Sequence, residues 1–180
     1  MQQLDLGSLE SVRTAARELH DRVDAIDLLV NNAGVRRMDA YHLGEIQQEA
    51  FLDSMNVNAF GALKVAEAFL PHLALADAPL LVMMSSALGS ISKNEDGGDY
   101  SYRASKAAMN AVMRSLAVDL RDMGITVISL HPGWVRTEMG GEEAPLSTGE
   151  SVSAIRRVLQ SVGLRDSGRF LRFDGTEEPW

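Results

Sequence analysis

The chain has 180 residues, of which 46% are hydrophobic and 23% are charged, which fits one soluble globular domain. The net charge is -8 and the 17 basic residues are scattered, so we expect no nucleic acid as a partner. Cysteine is absent and the four histidines lack the spacing of metal ligands, so we expect neither disulfides nor a metal site. No apolar stretch reaches the ~18 residues of a membrane span, and the first residues do not form a signal peptide, which predicts a cytoplasmic protein without a membrane partner.

Apolar runs and helical patterns alternate along the chain. Ser8 is a typical helix N-cap, and apolar side chains follow it at helical spacing. Short apolar runs that end in polar or glycine-containing segments are typical of buried strands. The pattern predicts a helix from residue 8 to about 23, a strand over 26–30, a helix over about 47–73, a strand over 79–84, a loop over 87–99, a helix over about 100–123, a strand over 125–130, a helix over about 148–162 and a strand over 169–173.

This alternation predicts the fold class α/β, with a parallel sheet, right-handed crossovers and helices on both faces. In such sheets the ligand lies beyond the carboxyl ends of the strands. Three predicted strands end in polar or glycine-containing segments, at residues 31–34, 85–86 and 131–133. The chain contains no internal repeat, low-complexity tract or linker, so we expect a single domain over residues 1–180.

Tyr102 and Lys106 are four residues apart near the start of a predicted helix, so their side chains share one face. A tyrosine hydroxyl has an ordinary pKa near 10, which is too high for efficient proton transfer at neutral pH. A nearby ammonium stabilises the phenolate, and a pKa lower by about three would need about 4 kcal/mol of differential stabilisation. The pair indicates acid–base chemistry, although such a pair also arises by chance.

Further polar residues occur at the ends of predicted strands and in the long helix, at positions that a site beyond the strand ends would use. Ser86 follows the strand over 79–84, Asn58 lies in the long helix, and the stretches 31–34 and 131–137 follow two other strands. Each has a structural interpretation when taken alone, because serine pairs and Pro-Gly are common at strand ends. Their occurrence together, in this order, is what indicates a catalytic site.

In this order, Asn-Asn-Ala-Gly, Val-Asn-x-x-Gly, the serine, Tyr-x-x-x-Lys and Pro-Gly-x-x-x-Thr resemble the motifs of the short-chain dehydrogenase/reductase family. The resemblance covers the whole chain and implies a Rossmann-like, doubly wound parallel sheet. It implies that Tyr102 is the general acid/base and that Ser86 hydrogen-bonds the substrate. It further implies that Lys106 lowers the pKa of Tyr102 and binds the nicotinamide ribose, and that Asn58 holds a water in a proton relay.

The same resemblance implies NAD(P) as the cofactor, with NADP favoured. Asp5 and Leu6 match the stretch that contacts adenine, and Tyr102 and Lys106 are implied to contact the cofactor as well. The other implied contacts lie on the adenosine-ribose side (Asn32, Ala33 and Gly34) and at the nicotinamide end (Pro132, Gly133, Val135 and Thr137).

A narrower resemblance is to the subgroup of sniffer-type carbonyl reductases and C-factor-like proteins. It is carried by the segments 88–98, 131–141 and 173–180, the last of which ends in Pro-Trp. This subgroup has a short substrate loop after the Pro-Gly motif. The resemblance therefore implies a small carbonyl or alcohol as substrate.

One motif of the family is absent, because no Gly-x-Gly occurs in the chain. The chain thus resembles a family member that lacks the first βαβ unit. Either the start is miscalled or truncated, which we favour because the other motifs are undamaged, or the short form is natural. The strand over 26–30 is then expected to be an exposed apolar edge.

The sequence predicts an NAD(P)H-dependent carbonyl reductase, which also oxidises the alcohol in reverse. We expect a homo-oligomer, with the helix over 100–123 buried on more than one face. A non-catalytic fragment that acts in signalling or protein interaction remains the alternative. A sugar-nucleotide epimerase or dehydratase of the extended branch is disfavoured, because few residues follow Thr137. The substrate is not identified by the sequence.

Cofactor affinity of residues 1–180 is the first testable quantity. Dinucleotides are held mainly by the amides of a glycine loop and the helix behind it. Without that motif we expect weak or undetectable NAD(P)H binding and near-background turnover at ordinary cofactor concentrations. Fluorescence titration with NADPH measures this, and an added upstream segment with the glycine motif should restore binding. Tight binding by residues 1–180 would contradict the prediction.

Overall fold

The computed structural model describes residues 4–37 and 42–180. Helices and strands alternate, and no helix in these residues is long and apolar enough to cross a membrane. The helices are α1 (Leu9–His20), α2 (Gln48–Met55), α3 (Ala62–Leu73), α4 (Tyr100–Asp119) and α5 (Thr148–Ser161), and the strands are β1 (Leu28–Asn31), β2 (Leu80–Met84), β3 (Thr126–His131) and β4 (Phe170–Arg172). Every predicted strand and helix is present, with ends that differ by a few residues.

The four strands form one parallel sheet in the order β1-β2-β3-β4, which confirms the predicted class. Successive side chains of a strand point to opposite faces. Leu81 and Met83 of β2 belong to a core cluster with Met109 of α4. Val82 belongs instead to a cluster with Val158 of α5. The sheet therefore carries helices on both faces, as predicted.

Helices α4 and α5 lie on opposite faces, although the strands they connect advance in the same direction across the sheet. The connection from β2 to β3 crosses one face, and the connection from β3 to β4 crosses the other. Two parallel crossovers of this kind have opposite hands. The prediction that all crossovers are right-handed is therefore wrong for one of them.

A π-helical turn, Asn56–Gly61, joins α2 to α3 without a break. The predicted helix over about 47–73 is thus continuous, but its sequence pattern does not indicate the wider turn. Such turns are rare and occur frequently at functional sites. This one contains Asn58, whose side chain is fully buried.

Helix α4 is buried along one stripe. Its buried residues are Ser101, Tyr102, Ser105, Lys106, Met109, Asn110, Met113 and Ala117. The sequence predicts burial on more than one face, from a wide apolar arc formed by Ala104, Ala107, Ala108, Ala111, Val112, Leu116, Ala117 and Leu120. Within the chain Ala117 and Leu120 of this arc are fully buried, and Ala108, Val112 and Leu116 are partly buried against the same core cluster. Burial of the rest of the arc by a second copy of the chain stays a prediction.

Strand β1 lies at one edge of the sheet and exposes apolar side chains, as expected. Leu28 is 47% exposed and Val30 is 40% exposed. The strand ends at Asn31, which is buried and donates from Nδ2 to the main-chain oxygen of Ala62 at 3.0 Å. This bond fixes the end of β1 against the start of α3.

The segment before α1 packs directly on the π-helical turn. A Cβ at Gly61 would lie 2.6 Å from the main-chain oxygen of Leu6 and 2.9 Å from its Cβ. Leu6 is itself buried in a cluster with Val12, Val65 and Phe69. Glycine at position 61 is therefore needed for this close approach.

We expect Gly61→Ala to lower the free energy of unfolding by about 2 kcal/mol, because the added methyl group must displace backbone. Denaturant unfolding measures the change. Gly149→Ala is the matched control, since a Cβ at Gly149 meets no atom within 4 Å and alanine favours the helix. The control should be neutral or stabilising, and equal losses in both variants would contradict the account.

Candidate active site

The ammonium of Lys106 lies where the segments after β1 and β2 meet α4. Its Nζ donates to the main-chain oxygen of Met84, the last residue of β2, at 2.8 Å. A Cβ at Gly34, which follows β1, would lie 3.3 Å from this Nζ and 3.0 Å from Oδ1 of Asn58. Lys106, Gly34 and Asn58 therefore come together beyond the carboxyl ends of the strands, where the sequence predicts a site.

The side chain of Asn58 joins the segment after β1 to α4. Its Oδ1 accepts from the Val35 N–H at 2.8 Å, and its Nδ2 donates to the Val35 oxygen at 2.8 Å and to Ser105 Oγ at 2.9 Å. Ser105 Oγ donates in turn to the main-chain oxygen of Tyr102 at 2.8 Å. Both amide hydrogens of Asn58 are used within the protein, so a relay water would have to bind one of its oxygens.

Ser86 lies where β2 passes into a short 3-10 turn, Ala87–Gly89. Its Oγ accepts from the Leu88 N–H at 3.2 Å. The loop after this turn is anchored to the C-terminal segment of the chain, because Lys93 Nζ donates to the buried carboxylate of Glu178 at 2.8 Å. The segment that carries Ser86 is therefore held on both sides.

Tyr102 is 7% exposed and lies near two cations. Nζ of Lys106 and Cζ of Arg36 each lie 5.7 Å from the centroid of its ring. Burial is the largest influence on the pKa of Tyr102 and raises it, while a hydrogen bond with Ser86 and the charge of Arg36 lower it and the charge of Asp99 raises it. The net pKa lies above the ordinary value, so burial outweighs the lowering by Ser86 and Arg36. The lowering that the sequence predicts from Lys106 is not among these influences.

Arg36 and Asp99 are site residues that sequence reasoning misses. Arg36 Nη2 lies 2.6 Å from Oδ2 of Asp99, whose side chain is 2% exposed. Asp99 precedes α4 with a φ of 50°, the left-handed region that few residues other than glycine adopt. The only signal in the sequence is that Arg36 follows Asn-Asn-Ala-Gly by two residues, which does not indicate that its side chain folds over Tyr102.

The residues implied for the nicotinamide end lie beyond β3. The main-chain oxygen of Pro132 accepts from Ser151 Oγ at 2.6 Å, which ties it to α5. Gly133 has a φ of 86°, and a Cβ there would lie 2.5 Å from Cδ1 of Leu146. Val135 is half-buried, and Thr137 is exposed. Their contact with a cofactor remains a prediction.

The residues implied for the adenosine end differ from one another in exposure. Asn32 and Ala33 are exposed, and Gly34 is half-buried. Leu6 is buried in the core cluster beneath α1, and Asp5 Oδ1 accepts from the Gly7 N–H at 2.9 Å. Leu6 therefore has a packing role of its own, and the adenine contact of Asp5 and Leu6 remains a prediction.

An open cavity of about 600 Å³ adjoins the site. Its lining includes Arg36, Leu88, Asp99, Tyr100 and Arg103, so it lies beside the Arg36–Asp99 ion pair and is bounded by both charged and apolar side chains. Within residues 4–37 and 42–180, no group of histidine, aspartate and glutamate side chains is placed to hold a metal ion. The arrangement is suited to acid–base chemistry on an organic substrate.

The family model described as short chain dehydrogenase matches residues 1–146, and the chain belongs to this family. Among curated relatives, the C-signal protein of Myxococcus xanthus is 41% identical over 155 residues, which cover 86% of this chain and 93% of that protein. The 1-hydroxy-2-glutathionyl-2-methyl-3-butene dehydrogenase of a Rhodococcus strain is 31% identical, over 98% of this chain and 78% of that enzyme.

Solved structures agree with this assignment. The carbonyl reductase Sniffer of D. melanogaster superposes with a TM-score of 0.94 at 34% identity, over 99% of this chain and 77% of that one. The NADPH-bound carbonyl reductase from chicken fatty liver gives a TM-score of 0.94 at 31% identity, over 99% of this chain and 76% of that one. The narrower resemblance to sniffer-type and C-factor-like proteins is thereby confirmed.

The burial of Lys106 predicts how stability depends on pH. Burial lowers the pKa of Lys106 from 10.5 to about 8. At pH values between these two, the folded chain has released a proton that the unfolded chain still keeps. Stability must therefore rise as the pH rises from about 8 to about 10.5. Lys106→Met removes the titrating group at similar volume. The free energy of unfolding of the wild type, relative to this variant, should increase by about 3 kcal/mol across the window.

Urea unfolding of both proteins at a series of pH values measures this difference. The comparison with Lys106→Met cancels the groups distant from this site that titrate at alkaline pH. A difference that stays constant between the two proteins across the window would contradict the buried position of this ammonium.

Proposed function

We propose that the chain is an NAD(P)H-dependent reductase of a small carbonyl compound, with Tyr102 as the proton donor and the alcohol oxidation as its reverse. The observation that carries the proposal is the buried Tyr102 hydroxyl next to Ser86, with Lys106 one helical turn away. Two similar structures are named as carbonyl reductases, and a curated relative is named as a dehydrogenase, which supports the same reaction class.

NADP is the cofactor we favour, because similar structures are described with NADPH or NADP bound. When bound, it would supply the hydride to the carbonyl carbon. The residues present fit such a group: in the part of the chain that the structure describes, Lys106 Nζ donates one hydrogen bond, which leaves two N–H groups for a ribose. Because glycine has no side chain, Gly34 leaves space beside this ammonium. The proposed cofactor contacts are Asp5, Leu6, Asn32, Ala33, Gly34, Tyr102, Lys106, Pro132, Gly133, Val135 and Thr137.

Four residues of the chain would each take one part of the proton transfer. The Ser86 hydroxyl would donate a hydrogen bond to the carbonyl oxygen of the substrate and polarise it. The Tyr102 hydroxyl would then transfer its proton to that oxygen, as negative charge develops there. The ammonium of Lys106 would stabilise the phenolate that remains, and Asn58 would hold a water through one of its oxygens for reprotonation.

We further propose that the protein acts in the cytoplasm as a homo-oligomer. Helices of the α2–α3 and α4 layer expose large apolar side chains, with Phe60 46% exposed and Val118 63% exposed. Exposed apolar area of this kind is typical of a protein–protein contact. A second copy of the chain would cover it.

The alternative of a non-catalytic fragment rests on the similarity to C-signal, whose name describes that protein as a signal. It is not favoured, because the other relatives named above are a dehydrogenase and two carbonyl reductases. The four residues proposed for catalysis are also all present in this chain, which supports the enzyme over the fragment.

NADPH-dependent reduction of a generic dicarbonyl tests the proposal, at cofactor concentrations high enough to offset weak binding. We expect Tyr102→Phe to lower the turnover rate by about a thousandfold, because a positioned general acid contributes about that much. The ratio of the wild-type rate to the Tyr102→Phe rate is informative even when the absolute rates are low.

Tyr100→Phe is the matched control, since Tyr100 is 39% exposed and precedes Tyr102 by two residues on α4. Tyr100 also lines the cavity beside the site, so this variant tests whether the loss of any tyrosine hydroxyl there lowers turnover; most of the wild-type rate should remain. A Tyr102→Phe variant that reduces the dicarbonyl as fast as the wild type would overturn the proposed mechanism.

A further inference from the structure

The side chain of Arg36 is fixed over the ring of Tyr102. Its Cζ lies 5.7 Å from the ring centroid, and the side chain is only 26% exposed. The main chain just before it is held as well, because both main-chain polar groups of Val35 bond to the buried amide of Asn58. Arg36 is therefore held at a defined place from both its backbone and its guanidinium.

Asp99 is the anchor of that guanidinium. The carboxylate is 2% exposed, and neither oxygen makes a hydrogen bond among the described residues, so the ion pair with Arg36 at 2.6 Å is its compensation. A buried carboxylate without a cation is strongly unfavourable, which keeps the two groups together. Asp99 also precedes α4 directly, so the anchor moves with the helix that carries Tyr102.

Among the residues that the structure describes, the charged and polar groups that face Tyr102 come from four places in the chain. They are Arg36 after β1, Ser86 after β2, Asp99 before α4 and Lys106 on α4 itself. Lys106 directs Nζ to the Met84 oxygen. Arg36 is thus the second cation at the ring.

We propose that Arg36, anchored by Asp99, is a positioning residue that stabilises the phenolate form of Tyr102. The inference rests on the proposed function, in which Tyr102 transfers the proton. Its effect on the phenolate does not depend on substrate or cofactor, because the contact lies within the folded chain.

Arg36 differs from Lys106 in one property that matters for this role. Burial lowers the pKa of Lys106 to about 8, so its charge is lost in the alkaline range in which a tyrosine ionises. A guanidinium remains charged throughout that range. The charge of Arg36 lowers the pKa of Tyr102 and is a larger influence than the opposing charge of Asp99. Arg36 therefore supplies the cation that persists when the phenolate forms.

The ionisation of Tyr102 can be measured directly by ¹⁹F NMR on protein labelled with 3-fluorotyrosine, whose phenol ionises at lower pH than that of tyrosine. The chain has three tyrosines, and the signal absent from Tyr102→Phe identifies the one of interest. We expect Arg36→Met to move the midpoint of the Tyr102 titration up by about one pH unit. Arg36→Lys, which keeps a positive charge, should restore most of the difference.

Arg37→Met is the matched control. Arg37 is the next residue, has the same charge, and pairs with Asp53 at 2.6 Å on the surface, so its loss should leave the midpoint unchanged. Should Arg36→Met fail to fold by circular dichroism, Arg36→Gln removes the same charge and keeps a donor for Asp99. A midpoint that does not move in the neutral Arg36 variants, or moves equally in Arg37→Met, would overturn the proposal.

The proposed function fails by a different result. A wild-type protein without NADPH-dependent reduction at cofactor concentrations that offset weak binding, or an active Tyr102→Phe variant, would refute the reductase and leave the titration result intact. A missing shift in Arg36→Met, with reduction abolished by Tyr102→Phe, would refute only the role of Arg36.

Discussion

The buried amide of Asn58 lies at the point where the π-helical turn, the segment after β1 and helix α4 meet. Its three hydrogen bonds hold Val35 on one side and Ser105 on the other. Val35 lies between Gly34, which opens the approach to Lys106, and Arg36, which covers Tyr102. A buried amide of this kind is costly to leave unpaired, so the three segments are fixed relative to one another. The other contacts of the site depend on this arrangement.

The site concentrates charge in a poorly solvated place, and its chemistry follows from how each charge is compensated. Lys106 has a main-chain carbonyl as its bonding partner, which leaves its charge only partly stabilised and its pKa low, at about 8. The charge of Asp99 is compensated by Arg36, and this ion pair lies beside the ring of Tyr102. Burial raises the pKa of Tyr102, so the charge of Arg36 acts against a cost that the fold itself imposes. The balance between burial and the nearby charges sets how readily the Tyr102 hydroxyl gives up its proton.

Much of this could be predicted from the sequence, because the signals are local. Apolar runs mark the strands, and a spacing of four places Tyr102 and Lys106 on one helical face. The remaining features depend on contacts between distant segments. The π-helical turn, the crossover of opposite hand and the position of Arg36 are set by packing, and no short-range pattern encodes them. The apolar arc of α4 is only partly buried within the chain, because a pattern does not say whether a face meets the same chain or another surface.

Hydrogen exchange at the Val35 amide tests most directly whether Asn58 holds the site together, because this N–H is bonded to Asn58 Oδ1 at 2.8 Å. We expect strong protection in the wild type and its loss in Asn58→Ala, with the Tyr102 resonances shifted at the same time. Asn56→Ala is the matched control, since Asn56 lies in the same turn and its side chain, among the described residues, makes one long hydrogen bond of 3.4 Å to the Gly7 oxygen. Unchanged protection of Val35 in a folded Asn58→Ala variant would contradict the account.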